Sequence, residues 1–326
     1  MNRIRVAGAT LAIAMLIAGC SSKSSTGGTA GTQATSAGPK IYVIGQSSPQ
    51  MSDAGQQVIL AGLKNWVETK QGWTIISKNA NADAQQQAKD MEALIAQKVN
   101  AIIVDPVDGA AICPSVQKAE AAGIPVFGVD RRVIGCKVRV TVLSDNYNAG
   151  KDSGTAMVKL LTAKYGKPMG KVLEIEGDMS GVDAQQRGAG FDDVLKQYPN
   201  ITVDRKPTKW TADEFAAATR DVASSRNIDG IYMHSDCVGA VPVTSALKQI
   251  GKLFTRDQKG HIFLTGVDGC KDTLKAFRDG YFDATSSQPL TDFGAVTILM
   301  KKLLDGGTLI RIHSPSPTRT GRPPPP

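Results

Sequence analysis

The chain of 326 residues is long enough to form two domains with hydrophobic cores of their own. Hydrophobic residues make up 41% of the chain and charged residues 21%, which excludes a disordered chain and one that lies mostly within a membrane. The formal net charge is +8, but the basic residues are dispersed and lack an aromatic platform, so we expect no nucleic-acid partner.

The N-terminus has the order of features found in an exported bacterial lipoprotein. Arg3 and Arg5 precede an apolar stretch too short to span a bilayer comfortably, and the run LIAGC that ends at Cys20 resembles a lipobox. We predict a signal peptide at 1–19 and, at 20–39, a lipidated cysteine with a flexible linker of mainly Ser, Thr, Gly and Ala. The expected location is extracytoplasmic, with the lipid anchoring the protein to the bacterial cell membrane, on its periplasmic face or the cell surface.

Export also changes how the other four cysteines are interpreted. Outside the cytoplasm an even number of cysteines indicates disulfides, and four of them allow three pairings. Two lie in the first half and two in the second, so we pair Cys113 with Cys136 and Cys237 with Cys270. Four buried free thiols are the alternative. The spacing matches no zinc motif, and we expect neither a metal nor a cofactor.

From Lys40 onward, β-branched runs alternate with amphipathic helical segments, a pattern typical of a parallel α/β sheet. The first half is predicted to contain strands at 41–44, 73–76, 101–104, 126–129 and 140–143, with helices beginning at Ser52 or Asp53, at Asp83 and at Ala110. The second half repeats this order with strands at 172–175, 201–203, 230–233 and 262–265, and with helices at 146–164, 182–197, 212–225 and 238–250.

Two similar halves joined near residues 143–145 imply a cleft between two domains. A late helix at 292–304 is placed to cross back and complete the first domain, and crossings at more than one point make a hinge. We predict two Rossmann-like, doubly wound parallel-sheet domains joined by a multi-crossing hinge. The expected boundaries are an N-terminal lobe of 40–143 plus 289–307, a C-terminal lobe of 144–288 and an irregular Pro-rich tail at 308–326.

Asp130 and Arg131 follow directly after the predicted strand at 126–129. In an open parallel sheet, ligands bind beyond the carboxyl ends of the strands. A carboxylate accepts hydrogen bonds and a guanidinium donates them, so the two together can hold a molecule covered in hydroxyl groups. An ion pair at the strand end, with no ligand role, is the alternative.

Several short motifs resemble those of periplasmic sugar-binding proteins related to ribose-binding protein. Each motif is weak alone, but their order and spacing along residues 40–307 are characteristic. They are Asp105-Pro106-Val107-Asp108, Val129-Asp130-Arg131, Ser144-Asp145-Asn146, Arg187-Gly188-Ala189-Gly190-Phe191, Gly266-Val267-Asp268-Gly269 and Gln288-Pro289. The resemblance implies a type I periplasmic-binding-protein fold, two lobes that close on a sugar, and delivery of the closed form to an ABC permease.

The resemblance also implies a set of ligand-binding residues. Carried over position by position, the contacts fall on Asp53, Asp130, Arg131, Gln185, Trp210, Ser235, Asp268 and Gln288. The predicted strands support part of this set independently, because Asp130, Ser235 and Asp268 lie at or just past strand ends. For Trp210 the alternative is core packing, for Asp268 a turn, and for Gln288 a role in the hinge alone.

The chain departs from the family pattern at two places in the predicted site. Gly55 and Gln56 stand where the family often has adjacent aromatic residues, and the family's second ligand arginine falls on Gln185, although Arg187 is kept. The site is therefore expected to lack aromatic walls and one guanidinium. That loss favours a pentose, a furanose or an acyclic polyol over a pyranose clamped between rings.

The expected function is that of a monomeric solute receptor for an ABC import permease, and the alternative is a sensor that presents bound sugar to a membrane kinase or chemoreceptor. A transcription regulator would need a helix-turn-helix where the signal peptide lies. An enzyme is disfavoured because the chain has no Gly-rich phosphate loop, GxSxG or HExxH motif, and His234 near the cleft has no obvious nucleophile.

Overall fold

The computed structural model describes residues 40–309. The predicted signal peptide, the lipidation at Cys20, the linker up to residue 39 and the tail from residue 310 onward lie outside the described residues. Within the described part, none of the helices has both the length and the apolar composition needed to cross a bilayer.

The first lobe is built on a five-stranded parallel sheet with the strand order β2-β1-β3-β4-β5. Its strands are β1 (Val43–Ser48), β2 (Thr74–Asn79), β3 (Ala101–Val104), β4 (Val126–Val129) and β5 (Thr141–Val142). Its helices are α1 (Ala54–Lys64), which continues as a π-helical turn at Asn65–Lys70, α2 (Ala84–Ala96) and α3 (Cys113–Ala121).

The second lobe repeats this arrangement with the strand order β7-β6-β8-β9-β10. Its strands are β6 (Gly170–Ile175), β7 (Ile201–Lys206), β8 (Gly230–Met233), β9 (Phe263–Asp268) and β10 (Ala284–Ser287). Its helices are α4 (Asn146–Tyr165), α5 (Val182–Leu195), α6 (Ala212–Ser225), α7 (Asp236–Gln249) and α8 (Lys271–Arg278). Both sheets thus have the relative order 2-1-3-4-5, which confirms the predicted fold class.

Both faces of each sheet are covered. In β3 the adjacent residues Ile102 and Ile103 point into different apolar clusters, and so do Val172 and Leu173 in β6. After β10 the chain forms a 3-10 turn at Leu290–Ala295 and then helix α9 (Val296–Leu304). Side chains from both segments lie in an apolar cluster of the first lobe, namely Leu290, Phe293, Val296 and Met300. The chain therefore crosses between the lobes near residues 143–145 and again near 288–289.

The sequence patterns miss two elements and misplace the ends of others, those of β1 most of all. Helix α8 has only eight residues, which is shorter than the window over which helical periodicity is recognised, and strand β10 reads ATSS at the edge of its sheet and so carries no hydrophobic run. Strand β1 was expected at 41–44 but runs from Val43 to Ser48. Its last three residues, Gln46, Ser47 and Ser48, are polar yet fully buried, because they lie toward the carboxyl edge of the sheet, beside the cleft.

Both predicted cysteine pairs come together as disulfides. The Cα atoms of Cys113 and Cys136 lie 5.7 Å apart, and those of Cys237 and Cys270 lie 5.1 Å apart. Each bond connects segments that follow neighbouring strands of one sheet, β3 and β4 in the first lobe and β8 and β9 in the second. Three polar residues of the predicted site lie close to these bonds, namely Asp130, Ser235 and Asp268.

Candidate ligand-binding site

Seven of the eight predicted contact residues line one small pocket between the two lobes, here called the deep pocket, with a volume of about 30 Å³. The strand ends explain why they meet, since Asp130 follows β4, Ser235 follows β8 and Asp268 ends β9. The complete lining is Asp53, Gly55, Gln56, Ile59, Asp130, Arg131, Asp183, Arg187, Trp210, Ser235, Asp268, Gln288 and Leu290.

Asp53 has a structural role as well as a place in the pocket. It is the N-cap of α1, and its Oδ1 accepts hydrogen bonds from the amides of Gly55 at 2.7 Å and Gln56 at 3.3 Å. Burial raises the pKa of Asp53, while Arg131 opposes that shift. One carboxylate oxygen is therefore committed to the helix, and the group is held rigidly at the pocket wall.

Asp130 is held in place by two amide side chains. Gln56 donates from Nε2 to Asp130 Oδ2 at 3.1 Å and to Asp105 Oδ2 at 2.7 Å, and Gln288 donates from Nε2 to Asp130 Oδ1 at 3.1 Å. Burial raises the pKa of Asp130, and it raises that of Asp105 further because Asp130 lies beside it. Gln56 thus supplies an amide where the family often has an aromatic ring.

Arg131 reaches across the cleft toward the second lobe. Its Nε lies 3.6 Å from Asp183 Oδ2, and its side chain is 16% exposed. Burial acts to lower the pKa of Arg131, but the surrounding carboxylates, Asp183 and Asp105 foremost, outweigh it and raise the pKa. The guanidinium is therefore permanently charged and lies where it could bind a ligand between the lobes.

Arg187, on the other side of the pocket, is fully engaged with protein groups. Its Nε donates to Asn146 Oδ1 at 2.8 Å, its two terminal nitrogens donate to the His234 carbonyl and to Gln288 Oε1, and it lies 3.4 Å from Asp268 Oδ1. This buried cation connects helix α5 with the ends of β8, β9 and β10.

Gln185 does not lie with the other predicted contacts. It is exposed, and its Nε2 donates to the carbonyl of Met179 at 2.9 Å. Asp183 and Arg187 are four residues apart on α5 and so share the face that lines the pocket, whereas Gln185 between them points elsewhere. Arg187 thus lies at the pocket, where Gln185 was expected. The i, i+4 spacing of an acid and an arginine was the signal that could have identified this face.

Trp210 forms an apolar wall of the deep pocket, between β7 and α6. The guanidinium carbon of Arg187 lies 5.8 Å from the centre of its ring. A Cβ at position 177 would come within 1.9 Å of that ring, so only glycine fits there. A flat apolar face beside charged groups suits the C–H side of a hydroxylated ligand.

Asp268 is a buried carboxyl group that ends β9 and lines the pocket. Its Oδ2 accepts a hydrogen bond from the Ser235 hydroxyl at 2.6 Å. Burial, which outweighs the opposing effect of Arg187, raises the pKa of Asp268 to about 8. Hydrogen bonds donated by a ligand would favour the ionised form of this carboxyl group and so lower its pKa.

Backbone strain is concentrated in this pocket. Among the described residues, six that are not glycine have a positive φ, and three of these line the deep pocket: Asp130 at 60°, Trp210 at 61° and Asp268 at 115°. Such conformations are costly for residues with a Cβ and persist where the surrounding structure enforces them, often at functional sites.

The deep pocket carries more acceptors than donors. Four carboxyl groups line it, from Asp53, Asp130, Asp183 and Asp268, against two guanidinium groups. Within residues 40–309, the buried atoms Gln56 Oε1, Arg131 Nε and Asp183 Oδ1 have no hydrogen-bond partner. Buried polar atoms are normally paired, so a bound molecule with several hydroxyl groups would complete this site.

Two other groups of side chains near the pocket are engaged in bonds within the protein. Ligand atoms of Asp236, Cys237 and Asp268 lie within 4.8 Å of one another, but the sulfur belongs to a disulfide, and Asp236 bonds to the Gly269 amide and two threonine hydroxyls. His234 is buried with both ring nitrogens engaged, by Glu174 at 2.9 Å and by the Gly177 amide at 3.3 Å.

Two parallel-sheet lobes with a polar pocket at their facing edges define a two-lobed solute-binding protein. Residues 44–308 match the family model described as "Periplasmic binding protein domain". The chain therefore belongs to this family, among the sugar-binding proteins related to ribose-binding protein. The family consists of extracytoplasmic solute-binding proteins.

Similar proteins of known designation bind sugars or polyols. The xylitol-binding protein of Mycolicibacterium smegmatis is 32% identical over 217 residues, which cover 66% of this chain but only 58% of that protein. The ribose import binding protein RbsB of Bacillus subtilis is 28% identical over 252 residues, or 76% of this chain and 77% of that one. A solved ABC transporter solute-binding protein from Mycobacterium smegmatis with bound glycerol is 27% identical, with a TM-score of 0.73 over 83% of this chain and 91% of that chain.

Proposed function

We propose that the protein is an extracytoplasmic receptor that closes on a small polyol, pentose or furanose and delivers it to an ABC import permease. The lobes that close would be 40–143 with 289–307 and 144–288. In this proposal the N-terminal lipid at Cys20 holds the receptor at the membrane, and the permease recognises the closed form.

One observation carries this proposal: buried polar atoms from both lobes meet in the deep pocket, and some have no hydrogen-bond partner among the described residues. Arg131 comes from the first lobe and Asp183 from the second, and they face each other at 3.6 Å. A hydroxylated ligand that bonded to both residues would favour the closed arrangement over an open one, because the ligand makes both contacts only when the lobes meet.

The ligand class follows from the charge of the pocket and from the relatives. Four carboxyl groups against two guanidinium groups suit a neutral donor of many hydrogen bonds and disfavour an anion such as a uronate or a sugar phosphate. A relative named for xylitol and a similar structure with bound glycerol support an acyclic polyol within this class.

The test is a thermal-shift and calorimetric panel on the full chain. It would include xylitol, ribitol, ribose, arabinose, glucose, glucuronate and ribose 5-phosphate. A ligand at 100 times its dissociation constant stabilises the folded state by about 2.7 kcal/mol, which gives a readily measured shift. We expect a neutral polyol or pentose to bind and the two anions to give no shift.

Preferential binding of an anion, or of glucose with no response to any polyol or pentose, would contradict the proposal. The sensor alternative uses the same closure and is separated by the partner. A receptor for import should stimulate ATP hydrolysis by a reconstituted permease, whereas a sensor should change the activity of a membrane kinase or chemoreceptor.

A further inference from the structure

His234 is a buried ionisable residue that lies behind the deep pocket without lining it. It follows β8 directly, and its amide donates to the carbonyl of Ile175, at the end of β6, at 3.0 Å. Its own carbonyl accepts a hydrogen bond from a terminal nitrogen of Arg187, which does line the pocket. The residue therefore lies where two strand ends of the second lobe meet the ligand site.

The surroundings of the imidazole determine which nitrogen carries the proton. Burial, and after it the nearby Arg187, lower the pKa of His234 to about 3, so the ring is neutral and carries one proton. Its Nδ1 lies 3.3 Å from the amide nitrogen of Gly177, which is a donor, so Nδ1 is the unprotonated acceptor. The proton is therefore on Nε2, which lies 2.9 Å from Glu174 Oε1 and donates to it.

Glu174 keeps the ring in this tautomer. Its side chain is fully buried, and its Oε2 lies 3.1 Å from Arg205 Nε. Burial raises the pKa of Glu174 to about 8, but Oε1 can accept the hydrogen bond from His234 whether or not the carboxyl group is ionised. The ring centre of Tyr232 lies 5.2 Å from that of His234. The imidazole is thus held in one orientation, and Nδ1 points to a fixed place.

Gly177 connects this histidine to the aromatic wall of the deep pocket. Its amide donates to His234, and its α-carbon faces Trp210, since a Cβ there would lie 1.9 Å from ring atom Cζ2. Its carbonyl accepts from the Thr208 amide at 3.4 Å. The Thr208 hydroxyl in turn donates to the Glu176 carbonyl at 2.7 Å and accepts from the Trp210 amide at 3.3 Å. A movement of the backbone at Gly177 would therefore reach the ring directly and through Thr208.

Trp210 needs such support because its backbone is strained. Its φ of 61° is costly for a residue with a Cβ and persists where the surrounding structure enforces it. Its ring is nevertheless buried in a defined place, with the guanidinium carbon of Arg187 5.8 Å from the ring centre. The hydrogen bonds through Gly177 and Thr208 contribute to this restraint.

We propose that His234 is a positioning residue for ligand binding: its Nδ1 atom holds the amide of Gly177, and Gly177 holds the ring of Trp210 where it can pack against the ligand. The inference rests on the proposed function, because it takes Trp210 as an apolar wall of a ligand site. It assigns a role in recognition to a side chain that does not line the pocket. A wall that is already in place favours binding because it needs no ordering when the ligand arrives.

Two neutral amide substitutions separate the roles of the two ring nitrogens. In His234→Asn the amide group is as many bonds from Cβ as Nδ1 is, so an acceptor for Gly177 is kept. In His234→Gln it is as many bonds from Cβ as Nε2 is, so the contact with Glu174 is kept and the acceptor for Gly177 is lost. In calorimetry with xylitol, ribitol, ribose and arabinose, we expect affinity to fall by about 10-fold in His234→Gln and by less than about 2-fold in His234→Asn.

The position of Trp210 is measured by fluorine NMR on protein labelled with fluorotryptophan. The chain has three tryptophans, and the resonance that disappears in Trp210→Phe identifies the relevant one. We expect this resonance to shift in His234→Gln and to keep its position in His234→Asn, while those of Trp66 and Trp73 stay unchanged in both. A general loss of stability would not move one resonance alone.

His261→Gln is the matched control. His261 is also buried in the second lobe, and its ring nitrogens contact the Phe254 carbonyl and the Asp283 carboxylate. It does not line the deep pocket. This variant should lose stability in urea but keep both the Trp210 resonance and the affinity.

Nitrogen NMR of labelled histidine tests the unmodified protein and so does not depend on how well the variants fold. We expect His234 to be the neutral Nε2–H tautomer. An Nδ1–H tautomer would overturn the inference, because that nitrogen could not accept a hydrogen bond from Gly177.

The other outcomes separate this inference from the proposed function. An unchanged Trp210 resonance in His234→Gln, equal effects of the two amide substitutions, or a shifted resonance with unchanged affinity would each refute the positioning role and leave the receptor function standing. If none of the probes binds the unmodified protein, the proposed function fails and the effect on affinity fails with it, while the Trp210 resonance still decides whether His234 holds the ring.

Discussion

The two lobes share one architecture but use it differently at the ligand site. Each has a sheet of relative order 2-1-3-4-5, and in each an aspartate with positive φ lies at the end of the fourth strand in that order, Asp130 in the first lobe and Asp268 in the second. In the first lobe an arginine, Arg131, follows this aspartate directly. In the second, Gly269 follows it and the arginine comes from helix α5 as Arg187. The arginine beside the corresponding strand end therefore comes from a loop in the first lobe and from a helix in the second.

The difference in origin brings a difference in role. Each of the three nitrogens of Arg187 donates a hydrogen bond to a protein group, while the Nε atom of Arg131 has no hydrogen-bond partner among residues 40–309. Arg187 thus connects segments of the second lobe, whereas the first lobe leaves one donor of Arg131 unpaired within the described residues.

The two disulfides also occupy equivalent positions in their lobes but differ in what they contact. Both connect the segments after the third and fourth strands in the sheet order. The bond between Cys237 and Cys270 packs against the apolar cluster of the first lobe, across the cleft, whereas Cys136 packs within its own lobe. One disulfide is therefore part of the contact between lobes, and the other is a local constraint.

The largest effect should come from Arg187→Ala. Removing one partner of a buried ion pair and its hydrogen bonds leaves Asp268 and other groups uncompensated, which costs about 3–5 kcal/mol. We expect the free energy of unfolding in urea to fall by about that amount. Arg226→Ala is the control, because Arg226 forms an exposed pair with Asp204 and should cost less than about 1 kcal/mol. Similar losses of stability in the two variants would contradict the structural role of Arg187.

Arg131→Ala should affect binding more than folding. A hydrogen bond to a charged group contributes about 1.5–3 kcal/mol, so the loss of this cation should weaken the affinity for the neutral ligand by about 10- to 100-fold. The loss of stability should be clearly smaller than for Arg187→Ala, as measured by the same urea titration. Arg132→Ala is the matched control, because Arg132 follows Arg131 but does not line the deep pocket, and it should keep the affinity. Retained affinity in Arg131→Ala would remove this residue from the site.

Replacing each cysteine pair by serine should separate the two disulfides. Their chain separations of 23 and 33 residues predict a similar loss of about 3 kcal/mol in stability for each. Only the Cys237→Ser/Cys270→Ser variant should also weaken ligand binding, by about 10-fold, because only that bond packs against the other lobe across the cleft. Calorimetry with the same ligand measures both variants, and equal losses of affinity would contradict the distinction.

Asp268→Asn should produce a change that is visible as a pH dependence. Burial raises the pKa of Asp268 to about 8, whereas an unfolded aspartate has a pKa near ~3.9. The folded state therefore keeps a proton that the unfolded state releases, and this group lowers stability progressively as the pH rises through that window. Asparagine resembles the protonated form and cannot ionise. The variant should thus gain in melting temperature relative to the unmodified protein between pH values of ~5 and ~8, and parallel melting profiles would contradict this.

The sequence predicted much of this molecule because much of it is encoded locally. Strands such as AIIV at β3 and VFGV at β4 are apolar throughout, and a strand buried on both faces needs no more than that. The ends of these strands locate Asp130 and Arg131 without any knowledge of distant residues. The order of motifs indicated the family, and the family match over residues 44–308 confirms it.

The parts that were missed depend on neighbours that are distant in the chain. Strand β10 is polar and exists because β9 pairs with it, and the buried polar end of β1 is stable because it lies at the cleft. The sequence alone does not show whether Gln185 or Arg187 faces the pocket. The rotation of α5 about its axis places Arg187 there and points Gln185 away. The deep pocket is lined by residues of both lobes, so no single stretch of sequence predicts its shape.

Local sequence patterns were enough to predict the two parallel-sheet domains and the strand-end groups, because strand burial acts over a few residues, and the division of the cysteines between the two halves was enough to predict their pairs. Only the folded arrangement shows which arginine is engaged and which has an unpaired donor within residues 40–309. Those properties depend on how the two lobes face each other, and that arrangement is fixed by contacts such as Gln288 with Asp130 and Arg131 with Asp183, which join residues far apart in the chain.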